Sequence, residues 1–486
     1  MPAPTAALKA PPVRQKKPAP KPLPKSASKR PRKTALKRRK RYAVVGTGGR
    51  CRNFIDPLIQ RYGEVAELVA FCDISQVRMD ATNRRLVEMG HPAVPTFKGE
   101  LAAFRRMLRQ TYPDAIFVTS MDSTHHDYIV EGVRQSLEII TEKPMTTDAA
   151  KCKKILSAVK RYQGNVRVTF NYRWINWCTA VKQALVDGAI GNVLSVNLEY
   201  LLDTSHGADY YRRWHSHMDC SGGLLVHKST HHFDLVNWWI DGIAEEVFAH
   251  ARLAFYGQEN ALQRGQKKLT RYPRYTGKVK EGQDPFMIDL TRDATLKELY
   301  YDAEAETGYL RDQNVFRPGI DIYDSMSVNV RYRSGILLTY SLNSFCPREG
   351  MRVTFNGDRG RLEFYEFGGS HIIKGQSSEQ LAQEQQQGSH DHRITVYPMH
   401  AKEAYTITPP KAVAGGHGGS DTLLGEQIFL PKPPKDTLHR NAGHEQGAAS
   451  ILIGIAANES IANGLPVRPN DLCKLQPKAL RLSELA

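Results

Sequence analysis

Short apolar runs separated by stretches of helical period dominate the chain from position 42 to about 170. The runs lie at 43–45, 67–72, 115–118, 138–140 and 166–170. Between them, apolar residues recur every three to four positions from about 52, at 76–89, at 101–110, from 125 and at 147–162. Apolar runs this short, returning at such intervals, read as strands buried on both faces and joined by right-handed helical crossovers. The predicted element is a doubly wound parallel sheet. After about Asn171 longer segments with period-two alternation take over, at 193–202, 246–255, 325–332, 336–342, 352–355 and 361–365. With a turn expected at Asn356-Gly357, they predict an α+β domain built on a large, open-faced, mostly antiparallel sheet. A polar, tyrosine-rich stretch near 257–323 and a Gln/Glu/Ser-rich one at 377–387 lack strand period and read as excursions, the first as a lid. Ala448, Ile451, Leu452 and Ile455 fall at helix spacing before Gly464, a helix stop.

Composition adds a third part. Of the net charge of +17, fifteen positive charges fall within residues 1–41, which contain no acidic residue, so the remainder is nearly neutral. That tail also holds nine of the 27 prolines and cannot collapse around a core. The expected organisation is a disordered basic tail at 1–40, a doubly wound domain at 41–170, and an α+β domain at 171–486 with an insertion near 257–323. No run approaches the roughly 18 to 20 apolar residues of a membrane span. A neutral body argues against nucleic acid as partner, although the tail alone could neutralise phosphates. Seven scattered cysteines without a C-x-x-C pair fit reduced thiols and a cytoplasmic location.

The candidate chemistry starts at Gly46-Thr47-Gly48-Gly49-Arg50, directly after the first strand and opening the first helix. There a dinucleotide's pyrophosphate can approach bare backbone at the positive helix end. Asp73 ends the second strand, where an acid accepts hydrogen bonds from the adenosine ribose and repels a 2′-phosphate, favouring NAD over NADP. Asp73 could equally cap the helix starting near Gln76. Six histidines (206, 215, 217, 227, 231 and 232) crowd residues 206–232. If the segment from Leu225 is helical, His227 and His231 share one face, able to hold a divalent metal with His215 or His217. An unliganded catalytic His pair, or packing, are the other readings, and a metal is not expected.

With Glu142-Lys143-Pro144 after the run at 138–140, these motifs resemble the Gfo/Idh/MocA family of glucose-fructose oxidoreductase, inositol dehydrogenase and rhizopine-catabolism enzymes. The Thr119–His125 segment is similar to the family's T-P-N-x-x-H element. The stretch from Ser221-Gly222-Gly223 through His227, His231 and Asp234 is similar to its G-G-G-x-L-x-D-x-x-x-H-x-x-D element, with His227 where the family carries Asp. The resemblance implies a Rossmann domain binding NAD(P) through Gly46, Thr47, Gly48, Gly49, Arg50, Asp73, Thr119, His125, Glu142 and Lys143. It also implies catalysis by Lys143 and by His231 as general base, with His227 beside them. By the same analogy Tyr172, Arg173, Trp174, Tyr211 and Arg213, with His227 and His231, line the substrate site. The implied reaction moves hydride from a secondary hydroxyl of a sugar, cyclitol or related polyol to NAD. Two alternatives stay open: a glycoside hydrolase using transient oxidation with bound cofactor, and a non-catalytic NAD- or sugar-sensing regulator. The resemblance further implies a homodimer or homotetramer formed through the second domain's sheet.

Overall fold

The computed structural model describes residues 38–280, 282–367, 391–413, 419–476 and 478–485. The basic tail up to residue 37 and the segment at 377–387 lie outside the described residues.

The predicted alternation folds as expected. Strands β1 (Lys40–Val45), β2 (Ala66–Asp73), β3 (Thr96–Lys98), β4 (Ala115–Val118), β5 (Glu138–Thr141) and β6 (Asn165–Val168) form a parallel sheet. Their order is β6-β5-β4-β1-β2-β3. Helices α1 (Arg52–Arg61), α2 (Gln76–Glu88), α3 (Leu101–Thr111), α4 (His125–Arg134) and α5 (Ala149–Tyr162) cross between strands. Central strands such as β4, Ala-Ile-Phe-Val, are fully buried because helices cover both faces. The strand order reverses beside β1, so the loops after β1 and β4 open a crevice at the sheet's carboxyl edge.

The second sheet contains β7 (Val193–Asp203), β8 (Ala244–Arg252), β9 (Ser325–Tyr332), β10 (Leu337–Cys346), β11 (Gly350–Gly357), β12 (Gly360–Phe367), β13 (Asp391–Pro398) and β14 (Tyr405–Ile407). All pair antiparallel except β7 with β10. In β9 buried and open positions alternate strictly, so one face meets the core and the other stays open. That open face is polar, with Asn197, Glu199, Thr339, Ser341, Arg352 and Thr354 lining a shallow depression. One local expectation is corrected. Asn356 and Gly357 belong to β11, and the chain reverses at Asp358-Arg359, where Asn192 N donates to Asp358 Oδ1. The helix before Gly464, His444–Asn463, is buried along most of its length and closes on Gly464 in the left-handed region (φ 71°). A two-residue strand before it, β15 (Ala442–Gly443), pairs with β6 and ties the second domain's end to the first sheet.

Candidate functional site

The sheet's carboxyl edge gathers every residue that the glycine motif implicates. Gly46 has φ +87°, and a Cβ there would lie 2.6 Å from Ser120 N, so the turn packs backbone to backbone on the loop after β4. Thr119 Oγ1 donates to Gly46 O at 2.6 Å and closes that contact. Asp73 braces the turn from β2: its Oδ2 accepts from Thr47 N (2.6 Å) and Thr47 Oγ1 (3.0 Å), and its Oδ1 accepts from Ser75 N (2.8 Å). The helix cap expected of Asp73 belongs instead to Ser75, whose hydroxyl accepts from Arg78 N. Arg50 Nε donates to Glu142 Oε1 at 2.7 Å, while Glu142 Oε2 accepts from Lys143 N. His125 is buried between the carbonyls of Ser120 and Pro144 (3.0 and 2.9 Å), a position that sets loops rather than one that reacts.

The turn suits a dinucleotide. A Cβ on Gly48 or Gly49 would meet only the hydroxyl of Tyr300, at 3.5 and 3.3 Å, and Gly49 N donates to that hydroxyl at 2.9 Å. An oxygen thus already sits on the amide that a pyrophosphate oxygen would take. Tyr300 belongs to the excursion near 257–323, which sequence reading left without a contact partner.

A second cluster lies where the β4 and β5 loops meet the segment after β7. Lys143 Nζ donates to His227 O at 3.2 Å, and His227 Nδ1 lies 2.5 Å from Asp122 Oδ2. His215 packs edge-on against the His227 ring at 4.3 Å and stacks on Trp214. Desolvation brings the Lys143 ammonium down to about 8, against the opposing pull of Asp122 and Glu142. Burial pushes the His227 imidazole well down, reinforced by Lys143, and pushes the Asp122 carboxyl up against Lys143 and Arg213. With Asp122 ionised, the neutral imidazole donates Nδ1–H to it and Nε2 is left as a proton acceptor, a tautomer assigned from this contact. Asp122 escaped the sequence reading because 105 residues separate it from His227. A signal existed: the T-P-N-x-x-H-like segment carries an acid, and the G-G-G element carries a base where the family carries an acid.

The histidine-rich stretch does not converge on one point. His227 ends a one-turn helix (Leu224–His227), His231 lies in the next (Ser229–Trp239), and the two rings face different partners. His231 stacks on Tyr172 with ring centres 4.0 Å apart. His232 enters the core against Tyr340, and His206 pairs with Glu349. Among the described residues no group of three His, Cys, Asp or Glu side chains is placed to hold a metal ion, which removes the geometric basis for a site at His227, His231 and His217.

Three of the substrate-lining expectations are corrected. Arg173 is fully buried and grips Asp234 with two hydrogen bonds of 2.7 and 2.6 Å, because the 3-10 turn Asn171–Trp174 aims it into the core. Trp174 is buried with the Arg440 guanidinium over its ring at 4.1 Å. Tyr211 is buried, donates to Tyr323 O, and stacks on Tyr256 at 3.9 Å. Its neighbour Tyr210 is the one that faces His215 and His227. Tyr172 stays at the cluster, with Lys228 Nζ donating to its hydroxyl at 3.3 Å. Arg213 pairs with Asp209, and its buried Nε has no partner.

Comparison with known proteins agrees with this fold. Residues 40–170 match the description "Oxidoreductase family, NAD-binding Rossmann fold", and residues 182–468 match "Oxidoreductase family, C-terminal alpha/beta domain". The chain is 36% identical over 430 residues to YteT of Bacillus subtilis (strain 168), covering 87% of this chain and 96% of that one. An inositol 2-dehydrogenase of Rhizobium meliloti (strain 1021) is 30% identical over 125 residues, covering 26% of this chain and 36% of that protein. Among solved structures, the WlbA dehydrogenase of Bordetella pertussis, in complex with NADH and UDP-GlcNAcA, shares the fold. Its TM-score is 0.56 at 16% identity, over 89% of this chain and 98% of that one. The chain belongs to the Gfo/Idh/MocA oxidoreductase family, and its first sheet is that family's NAD-binding Rossmann fold.

Proposed function

We propose that this oxidoreductase removes hydride from a secondary hydroxyl of a sugar, cyclitol or related polyol, with Lys143, His227 and Asp122 managing the hydroxyl proton. NAD, when bound along the glycine turn, supplies the hydride acceptor. The observation that carries the reading is the Asp122–His227 contact of 2.5 Å beside the Lys143 ammonium. An alcohol must lose its proton as its carbinol hydride leaves, so a base and a cation are needed at the same oxygen. His227 Nε2 accepts the proton, and Asp122 balances the charge that then forms on the ring. Lys143 donates to the oxygen and stabilises its developing negative charge. His231, the base implied by family resemblance, instead stacks on Tyr172. The polar tips of Tyr172, Lys228 and Arg213 suit a ring with many hydroxyls.

The testing experiment incubates purified protein with NAD and a panel of inositols, aldoses, uronic acids and aryl glycosides, following NADH by absorbance. NADH formation with a polyol or sugar, abolished in His227→Ala, is expected. Release of aglycone without NADH accumulation would contradict net oxidation and favour the redox-neutral hydrolase.

A further inference from the structure

The carboxylate of Glu306 sits at the start of α2, more than 200 residues away in sequence. Its Oε2 accepts from Ser75 Oγ (2.6 Å) and Val77 N (3.2 Å), and its Oε1 accepts from Gln76 N (3.0 Å). Lys98 Nζ, at the end of β3, lies 2.6 Å from the same Oε1. Two backbone N–H groups, a hydroxyl and an ammonium thus converge on one anion at the positive end of a helix. Burial raises the Glu306 carboxyl, but Lys98, Ser75 and the Gln76 and Val77 amides outweigh it and hold the group at about 2, so it is fully charged.

This position follows directly on Asp73, where the adenosine ribose of a bound dinucleotide lies. Asp73 alone does not settle which nucleotide is preferred. Arg78 Nη1 stands 3.9 Å from Asp73 Oδ1, and Lys98 adds a second cation, so the edge without Glu306 would carry one negative and two positive charges. Together with the Ser75 hydroxyl and the helix amides, that is a cradle suited to a phosphate. Glu306 fills the cradle and cancels the surplus charge. The segment carrying it is fastened across the nucleotide-binding domain. Arg52 Nη1 donates to Thr295 Oγ1, Arg52 Nη2 to Glu298 Oε1, and Arg78 Nε to the carbonyl of Leu299, whose side chain is fully buried.

We infer that Glu306 is a specificity-determining residue that occupies the 2′-phosphate position and so excludes NADP, an inference resting on the reading of the Gly46–Asp73 edge as the cofactor site. A 2′-phosphate would meet like charge and find its donors already taken. NAD, with a free ribose hydroxyl, meets neither obstacle.

Calorimetric titration of the full chain with NAD and with NADP tests this without any turnover. For the unmodified protein NAD binds more tightly. In Glu306→Gln and in Glu306→Ala the ratio of NADP to NAD affinity should rise at least about tenfold, with NAD affinity within about threefold of the original. Glu306→Gln keeps the size of the side chain and so guards against misfolding. Adding Lys98→Ala to it should forfeit most of the gain in NADP binding, since Lys98 then no longer meets the phosphate. An unchanged ratio in both single variants, with NAD still bound, would overturn the inference while leaving the cofactor site standing. Binding of neither nucleotide by the unmodified protein would overturn the cofactor reading, and the inference with it.

Discussion

Asp122 and His227 belong to opposite domains, one on the loop after β4 and the other at the end of a one-turn helix beyond β7, and meet at 2.5 Å. Asp122 is here a positioning residue: it selects the imidazole tautomer and balances the proton His227 accepts. Asp122→Asn should lower kcat by about 10² to 10⁴, the range for a lost or misoriented general base. It should also displace the acidic limb of the kcat/KM profile, because the proton-accepting unit loses its anion. A lowered rate with an unmoved limb would point to a merely structural role. Lys143 supplies a second pH signature. The protonated ammonium is the form that donates, and its pKa is brought down to about 8, so activity is present below that pH and falls as pH rises through it. Lys143→Arg, whose guanidinium remains charged, should lower the plateau and remove that alkaline limb. Persistence of the limb in Lys143→Arg would assign it to another group. At this scale the sequence exposed Lys143 and the histidine enrichment. It could not show Asp122 as a partner, nor that the turn at Asn171–Trp174 turns Arg173 inward, because both depend on contacts between distant segments.

The elements that carry the site are held by a buried polar seam. Arg173 and Asp234 are at most 1% exposed and form paired hydrogen bonds, Ser450 Oγ donates to Asp234, and Arg173 Nη1 donates to Gln446 Oε1. Three elements are joined there: the turn after β6, the helix Ser229–Trp239 that carries His231, and the helix His444–Asn463. Removing one member leaves an uncompensated buried charge, so Arg173→Met should destabilise the protein by about 3 to 5 kcal/mol. The double variant Arg173→Met/Asp234→Leu should recover a large part of that loss. Urea unfolding followed by circular dichroism checks both, and a loss below about 1 kcal/mol in the single variant would show that water reaches the site. Most strand and helix positions were legible from periodicity, β9 at its full length. The hairpin at Asn356-Gly357 was misplaced because a turn-forming pair also fits β11 when Asn356 pairs with Arg361 across the ladder.

Across the whole molecule, the segment near 257–323 reaches back to the nucleotide-binding domain. It leaves the second domain and lies on the first, placing the Tyr300 hydroxyl on Gly49 N and Glu306 at the start of α2. Neither contact has a local sequence signature, since each joins residues more than 200 positions apart. No described helix is long and apolar enough to cross a membrane. In the proposed reaction a hydride leaves a carbinol carbon while His227, oriented by Asp122, takes the hydroxyl proton. Single-turnover mixing of enzyme and NAD with a substrate deuterated at the reacting carbon tests it most directly. Deuterium should appear on the nicotinamide ring, the transient should be slower than with protiated substrate, and His227→Ala should lose that transient while retaining NAD affinity. Deuterium appearing in solvent rather than on the nicotinamide, or a transient unaffected by His227→Ala, would contradict it.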